Sequence, residues 1–170
     1  MTLAELNALP EAEAREAFER CCGATAWVER MTGRRPYRTV NILLGIAHGI
    51  WMSLGPDDWR EAFSHHPQIG DLESLRRRFA ATADLASREQ SAVTGASATT
   101  LEALAAGNRA YQERFGYIFI VFASGRSANE MLAILERRLS NDAETELAIA
   151  AREQWKIMRL RLDKMLGGPR

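Results

Sequence analysis

Over most of this chain apolar residues recur every three or four positions, the spacing of helices that bury one face. The punctuation agrees. Thr2-x-x-Glu5 has the form of a capping box, in which hydroxyl and carboxylate satisfy each other's backbone N–H groups, and predicts a short first helix. Pro10 stands where a first helical turn tolerates it, and EAEAREAFERCC follows with strong helix formers. A third segment runs from about Ala24 to Met31 and stops near Gly33-Arg34-Arg35-Pro36. Thr39 to Leu54 is apolar nearly all round, which predicts a central buried helix with His48 as a hydrogen-bonded core histidine. Gly55-Pro56-Asp57-Asp58 opens the next helix, which ends at His65-His66-Pro67, because a residue before proline is pushed out of the α region.

Asp71 to about Ala86 reads as helical with a basic face at Arg76, Arg77 and Arg78, and Ser87-x-x-Gln90 has the form of another capping box. Leu101 to Phe115 is helical, Ser127-x-x-Glu130 caps a further helix, and Asn141-x-x-Glu144 caps the last, which runs to about Leu166. GYIFIVFASG, bounded by Gly116 and Gly125, has no helical period and predicts an extended or tight buried loop. Without repeats or low-complexity tails, residues 1–170 read as a single-domain, all-α bundle of roughly eight helices.

Lys plus Arg and Asp plus Glu number 22 each, so the formal net charge is zero. That excludes a broad electrostatic grip on nucleic acid or an anionic membrane, but not a local cationic pocket. Cys21 and Cys22 are adjacent, a poor disulfide geometry, so a reducing cytoplasm is expected. The N-terminus carries acids early and has no apolar signal core, and the longest apolar run, ILLGIAHGIWMSL, is too short and interrupted to span a membrane.

Chemistry concentrates at AFSHHPQIGD. Adjacent histidines point in different directions, so His65 and His66 do not readily share an ion, and no HExxH or CxxC motif is present. A metal site would need His48, His65 and His66 to converge. His66, fixed by Pro67, either faces a pocket or simply ends a helix. Glu89 is either an ordinary acid in a first helical turn or part of an anion- or amide-binding turn with Ser87 and Gln90. Among Arg152, Lys156, Arg159 and Arg161, most belong to a solvated basic face.

Taken in order, these segments resemble the 2-oxo-4-hydroxy-4-carboxy-5-ureidoimidazoline (OHCU) decarboxylase family of urate degradation. The resemblance rests on LLGIAHGIWMSL, AFSHHPQIGD, SREQ, RFGYIFIVFASGRSANEML and the C-terminal pattern of Gln154, Ile157 and RLRL, and covers almost the whole chain. It implies an all-α homodimer that uses no metal and no organic cofactor, binds OHCU as its small-molecule substrate, and touches neither nucleic acid nor membrane. It implies His66 as the catalytic histidine and Glu89 as its acidic partner. Pro67, Ala86, Ser87, Arg88, Gln90, and the backbone of Ile118, Phe119, Ile120, Val121 and Phe122 are implied as substrate contacts, and Arg161 as the substrate's cation, with Arg159 as the alternative. The family often carries a basic residue where Gln68 stands. The implied reaction is decarboxylation to (S)-allantoin with stereoselective protonation by a histidine. The competing expectations are a lyase or hydrolase of a related ureido compound, or a non-catalytic helical interaction module.

Overall fold

The computed structural model describes residues 1–66, 73, 75, 77 and 98–168. Among these residues there are eight helices and no strand: α1 (Leu3–Ala8), α2 (Glu11–Glu19), α3 (Thr25–Gly33), α4 (Val40–Met52), α5 (Pro56–Ser64), α6 (Ala98–Phe115), α7 (Ala128–Leu139) and α8 (Ala143–Met165). Glu73, Leu75 and Arg77 are helical as well. The fold is all-α, as the periodicity predicts. Its contacts divide it into two compact units, one of Met1–His66 with Leu147–Arg170 and one of Pro67–Glu146.

Local punctuation sets most helix starts. Thr2 and Glu5 close a capping box on α1, and Ser127 and Glu130 close one on α7. Pro56 occupies the first turn of α5 while the Asp58 carboxylate accepts from the Gly55 N–H at 3.1 Å. Two details differ from the sequence expectation. Pro10 precedes α2 as its cap rather than sitting inside the first turn. The cap of α8 falls on Asp142, whose carboxylate accepts from the Thr145 N–H at 2.8 Å, and the neighbouring Asn141 side chain donates instead to Glu146 at 2.8 Å.

In the first unit, Leu6, Phe18, Trp27, Met31, Leu43, Trp51, Phe63, Met158 and Leu162 are fully buried. Each such side chain contributes roughly 1.5–3 kcal/mol of transfer free energy. The indoles also satisfy their N–H groups: Trp27 donates to the Ala47 carbonyl at 3.0 Å, and Trp51 to the Ala151 carbonyl at 2.8 Å. The Glu61 carboxylate ties α5 to the start of α3, accepting from the Thr25 N–H at 3.0 Å and the Thr25 hydroxyl at 2.6 Å.

Helix α4 corrects the expectation of all-round burial. Leu43, Leu44, Ala47, Ile50 and Trp51 face inward, but Ile42 is 44% and Met52 41% exposed. His48 is exposed too, its ring 4.9 Å from that of Trp155, so it is not a core histidine. Apolar composition alone did not reveal which face a neighbour covers.

The second unit is organised around a buried ion pair. Ala128, Met131, Leu135 and Arg138 share the buried stripe of α7. The Arg138 guanidinium donates to Glu146 at 2.7 Å, to the Ile120 carbonyl at 2.6 Å and to the Tyr111 hydroxyl at 3.2 Å. The Tyr111 hydroxyl donates in turn to Glu146. Arg138 also lies over the Phe119 ring, 4.8 Å from its centroid. This clamp holds the Ile118–Phe122 stretch, which is neither helix nor strand, as its lack of period predicts. Gly116 begins the stretch at φ 79°, a left-handed conformation that favours glycine.

Breaking one half of the pair strands the other charge in the interior. Arg138→Ala or Glu146→Ala is expected to destabilise the protein by about 3–5 kcal/mol in urea unfolding, far beyond a surface ion pair such as Arg60–Asp57. A loss below about 1 kcal/mol would mean that the clamp does not hold the second unit together.

Candidate active site

Helix α5 ends at Ser64, and the chain then delivers its two histidines to different surroundings. The His65 N–H still donates to the Ala62 carbonyl at 3.3 Å and the His66 N–H to the Phe63 carbonyl at 3.1 Å, so the final turn and the fully buried Phe63 fix both backbones. The exposed His65 lies over Gly23; a Cβ at Gly23 would stand 2.6 Å from His65 Cβ, so only glycine permits this approach. His66 is half-buried, and its Nε2 is closed off from solvent without a hydrogen-bond partner.

Helix α8 supplies the polar neighbours of His66. Its buried stripe runs Leu147, Ala150, Ala151, Gln154, Met158, Leu162, and Gln154 is the polar interruption. Gln154 is 0% exposed, and neither its Oε1 nor its Nε2 has a hydrogen-bond partner. Its carboxamide acts on the His66 imidazole in the direction of the protonated ring. Arg161, seven residues on and therefore on the same side of the helix, is half-buried and donates to the Cys21 carbonyl at 3.3 Å. Burial, first, and the Arg161 charge, second, hold the His66 imidazole below its ordinary pKa; the neighbouring His65 adds to this and Gln154 opposes it.

Other basic residues of α8 behave differently. Arg159 is exposed and paired with Asp163 at 3.0 Å, while Lys156 is exposed and paired with Glu153. Of the two arginines that the sequence left open, Arg161 is the one whose charge acts on the His66 imidazole. Burial pushes the Cys21 thiol up to about 11 and the Cys22 thiol up to about 12, so neither is a thiolate nucleophile at neutral pH. Among the described residues no three His, Cys, Asp or Glu side chains are grouped as a metal site, and His48 stands against Trp155 rather than with the other histidines. No described helix is long and apolar enough to cross a membrane.

The remaining expected site residues divide in two. Pro67, Ala86, Ser87, Arg88, Glu89 and Gln90 lie outside the described residues, as does Gln68. Ile118, Phe119, Val121 and Phe122 are partly exposed in the second unit, while Ile120 is buried with its carbonyl on Arg138. Gln154 and Arg138 received no role from the sequence. The available signal was their register: each is polar at a position where its helix otherwise buries apolar side chains.

A half-buried imidazole at the end of a helix, favoured in its neutral form by burial and by a guanidinium charge, is suited to acid–base chemistry. The comparisons with known proteins agree. A family model described as OHCU decarboxylase matches residues 7–163, across both units, and the chain belongs to that family. It is 39% identical over 148 residues to the uric acid degradation bifunctional protein TTL of Arabidopsis thaliana, covering 85% of this chain and 45% of that protein. The chain thus spans less than half of that bifunctional relative. The 2-oxo-4-hydroxy-4-carboxy-5-ureidoimidazoline decarboxylase of Haloferax volcanii is 26% identical over 163 residues, which cover 95% of this chain and 94% of that one. A crystal structure of OHCU decarboxylase in the presence of (S)-allantoin superposes with a TM-score of 0.72 at 38% identity, over 88% of this chain and 96% of that one.

The depressed imidazole has a consequence for stability. The unfolded chain takes up a proton at His66 before the folded chain does. The contribution of His66 to stability is therefore complete above the unfolded value of about 6.5 and is lost as pH falls through the lower folded value. Tm is expected to drop as pH falls below about 6.5, and His66→Asn to flatten that part of the profile. An identical slope in His66→Asn would contradict the assignment.

Proposed function

We propose that this protein is an OHCU decarboxylase of urate degradation, converting 2-oxo-4-hydroxy-4-carboxy-5-ureidoimidazoline to (S)-allantoin and carbon dioxide. The observation that carries the reading is His66, held neutral between α5 and the polar residues of α8, in a chain whose family match spans residues 7–163. The substrate bears a carboxylate and a hydroxyl on one ring carbon. As carbon dioxide leaves, the electron pair of the broken C–C bond enters the ring towards its C=N group, whose nitrogen takes up a proton from solvent. The hydroxyl then gives up its proton to become a carbonyl, and the ureido-bearing carbon gains one. A neutral imidazole suits this exchange: it accepts the hydroxyl proton and returns a proton to one face of the carbon. A single donor on a single face makes the product chiral.

Arg161 suits the substrate carboxylate or the charge that develops on the ring, and its rigid fork favours planar anions. Glu89 as partner of His66, and Pro67, Ala86, Ser87, Arg88, Gln90 and the Ile118–Phe122 backbone as substrate contacts, belong to the same reading and rest on the family resemblance. So do the homodimer and the independence from metal and cofactor. The two buried, unpaired thiols of Cys21 and Cys22 support a reducing compartment such as the cytoplasm.

The test is a coupled reaction in which urate oxidase and the following hydrolase generate OHCU in place. Added protein is expected to accelerate allantoin formation and give an optically active product by circular dichroism. His66→Ala should lose about 100-fold or more in kcat, as expected when a positioned acid–base group is removed, while His65→Ala keeps most activity. A racemic product at the uncatalysed rate would overturn the assignment, and a dead His65→Ala beside an active His66→Ala would reverse the two histidines.

A further inference from the structure

The turn between α2 and α3 makes contact with two parts of the site. Its own course is fixed from within. The N–H groups of Cys21 and Cys22 donate to the Phe18 carbonyl at 2.8 and 3.0 Å, the Cys22 thiol accepts from the Ala24 N–H at 3.5 Å, and all three residues are buried. On one side, the Cys21 carbonyl accepts from the Arg161 guanidinium of α8 at 3.3 Å. On the other, Gly23 lies against His65, the residue that precedes His66. A Cβ built on Gly23 would stand 2.4 Å from Cγ, 2.6 Å from Cβ and 2.8 Å from Cδ2 of that histidine. Two residues further on, the Thr25 N–H and hydroxyl donate to the Glu61 carboxylate of α5 at 3.0 and 2.6 Å.

The backbone does not demand glycine at position 23. Among the described residues the glycines at positive φ are Gly116, Gly125 and Gly167, so Gly23 holds a conformation open to alanine. What stands in the way of a side chain is His65, which supplies all three of the nearest atoms. Rotating the imidazole would not relieve the contact, because the His65 Cβ is fixed to the backbone at the end of α5. Carbon atoms pack at about 3.5–4.0 Å, so a side chain at position 23 forces a shift of about 1 Å. His65 and His66 are consecutive and close the same final turn, through the Ala62 and Phe63 carbonyls, so a shift of one is passed to the other.

We propose that Gly23 is a positioning residue and the α2–α3 turn the spacer of the site: by letting His65 approach the bare backbone, and by holding Arg161 through the Cys21 carbonyl, one short stretch sets His66 and Arg161 relative to each other. The kinetic consequence rests on the decarboxylase reading; the placement of His66 does not. Misplacing a reacting group by about 1 Å costs on the order of 100-fold in rate. The charged and titratable groups that act on His66 are Arg161 from α8 and the adjacent His65, both against protonation, so a displaced ring reports itself in its titration as well.

The experiment uses the full chain with Gly23→Ala, His65→Gly, the two combined, and Glu61→Ala. His65→Gly removes every atom that the new Cβ would strike. The readouts are Tm, kcat and KM per folded molecule, and the His66 titration by NMR, with the histidines assigned through single His→Asn variants. Gly23→Ala is expected to lower kcat by about tenfold or more, with KM within about threefold, and to raise the His66 titration from its depressed position. The combined variant is expected to regain a kcat within about threefold of His65→Gly alone. A merely structural glycine would lower Tm and leave kcat per folded molecule and the titration unchanged, and that result overturns the proposal. A combined variant that keeps the full kcat loss of Gly23→Ala overturns it too. If Gly23→Ala fails to fold, Glu61→Ala decides, because it frees the turn from α5 at the protein surface: a kcat loss of about threefold or more supports the proposal, and a smaller one overturns it. If the wild-type protein fails to turn over OHCU, the decarboxylase reading falls, while the NMR titrations alone still decide whether Gly23 positions His66.

Discussion

The seating of His66 at the end of α5, where the final turn and the fully buried Phe63 fix its backbone, is the constraint on which the proposed chemistry depends. A helix that packs by Leu147, Ala150, Ala151, Met158 and Leu162 would naturally continue its apolar face through position 154. Gln154 breaks that face, and Arg161 borders it two turns later. Both act on the half-buried imidazole of His66, Arg161 against its protonation and Gln154 in favour of it. Burial, first, and the Arg161 charge, second, favour the neutral ring, while Gln154 favours the proton. The scaffold behind this balance is rigid: Phe63 is fully buried beneath the histidines, and the Trp51 indole anchors α4 to the Ala151 carbonyl of α8.

The second unit applies the same economy of charge to a different end. Arg138 spends its donors on Glu146, Tyr111 and the Ile120 carbonyl, so an irregular backbone stretch acquires a fixed course without strand pairing. A buried pair of this kind gains little net stability over apolar packing. What it offers here is a defined path for Ile118–Phe122, a stretch that helix or sheet hydrogen bonding does not otherwise fix. Both units thus place polar side chains at positions where the helix period calls for apolar ones, and both do so next to the segments that the resemblance assigns to substrate.

Much of the fold was legible in the sequence because its signals are local. Capping boxes at Thr2 and Ser127, the proline start at Pro56 and the stop at His65 each involve residues within one turn of one another. The lack of period in GYIFIVFASG was a local signal as well. Less legible was whatever depends on a distant partner. The outer face of α4 is exposed at Ile42, His48 and Met52, and composition cannot say so. Arg138 and Glu146 are separated by a helix end, so no single helical period relates them. The cap of α8 fell on Asp142 because Asn141 was taken up by Glu146. At the site, the motif around His66 was plain, while the different surroundings of the two arginines were not: Arg159 is exposed and paired with Asp163, and Arg161 is half-buried with its guanidinium on the Cys21 carbonyl. Gln154 stood within the recognised C-terminal pattern, with no sign there that its carboxamide is buried and unpaired.

The central claim is that the chemistry happens at His66, between α5 and α8. A crystal structure of the wild-type protein soaked with (S)-allantoin tests it most directly. The claim predicts allantoin with one polar atom about 3 Å from a ring nitrogen of His66 and another about 3 Å from the Arg161 guanidinium. Allantoin bound away from His66, or held by Arg159 or His65 instead, would contradict it.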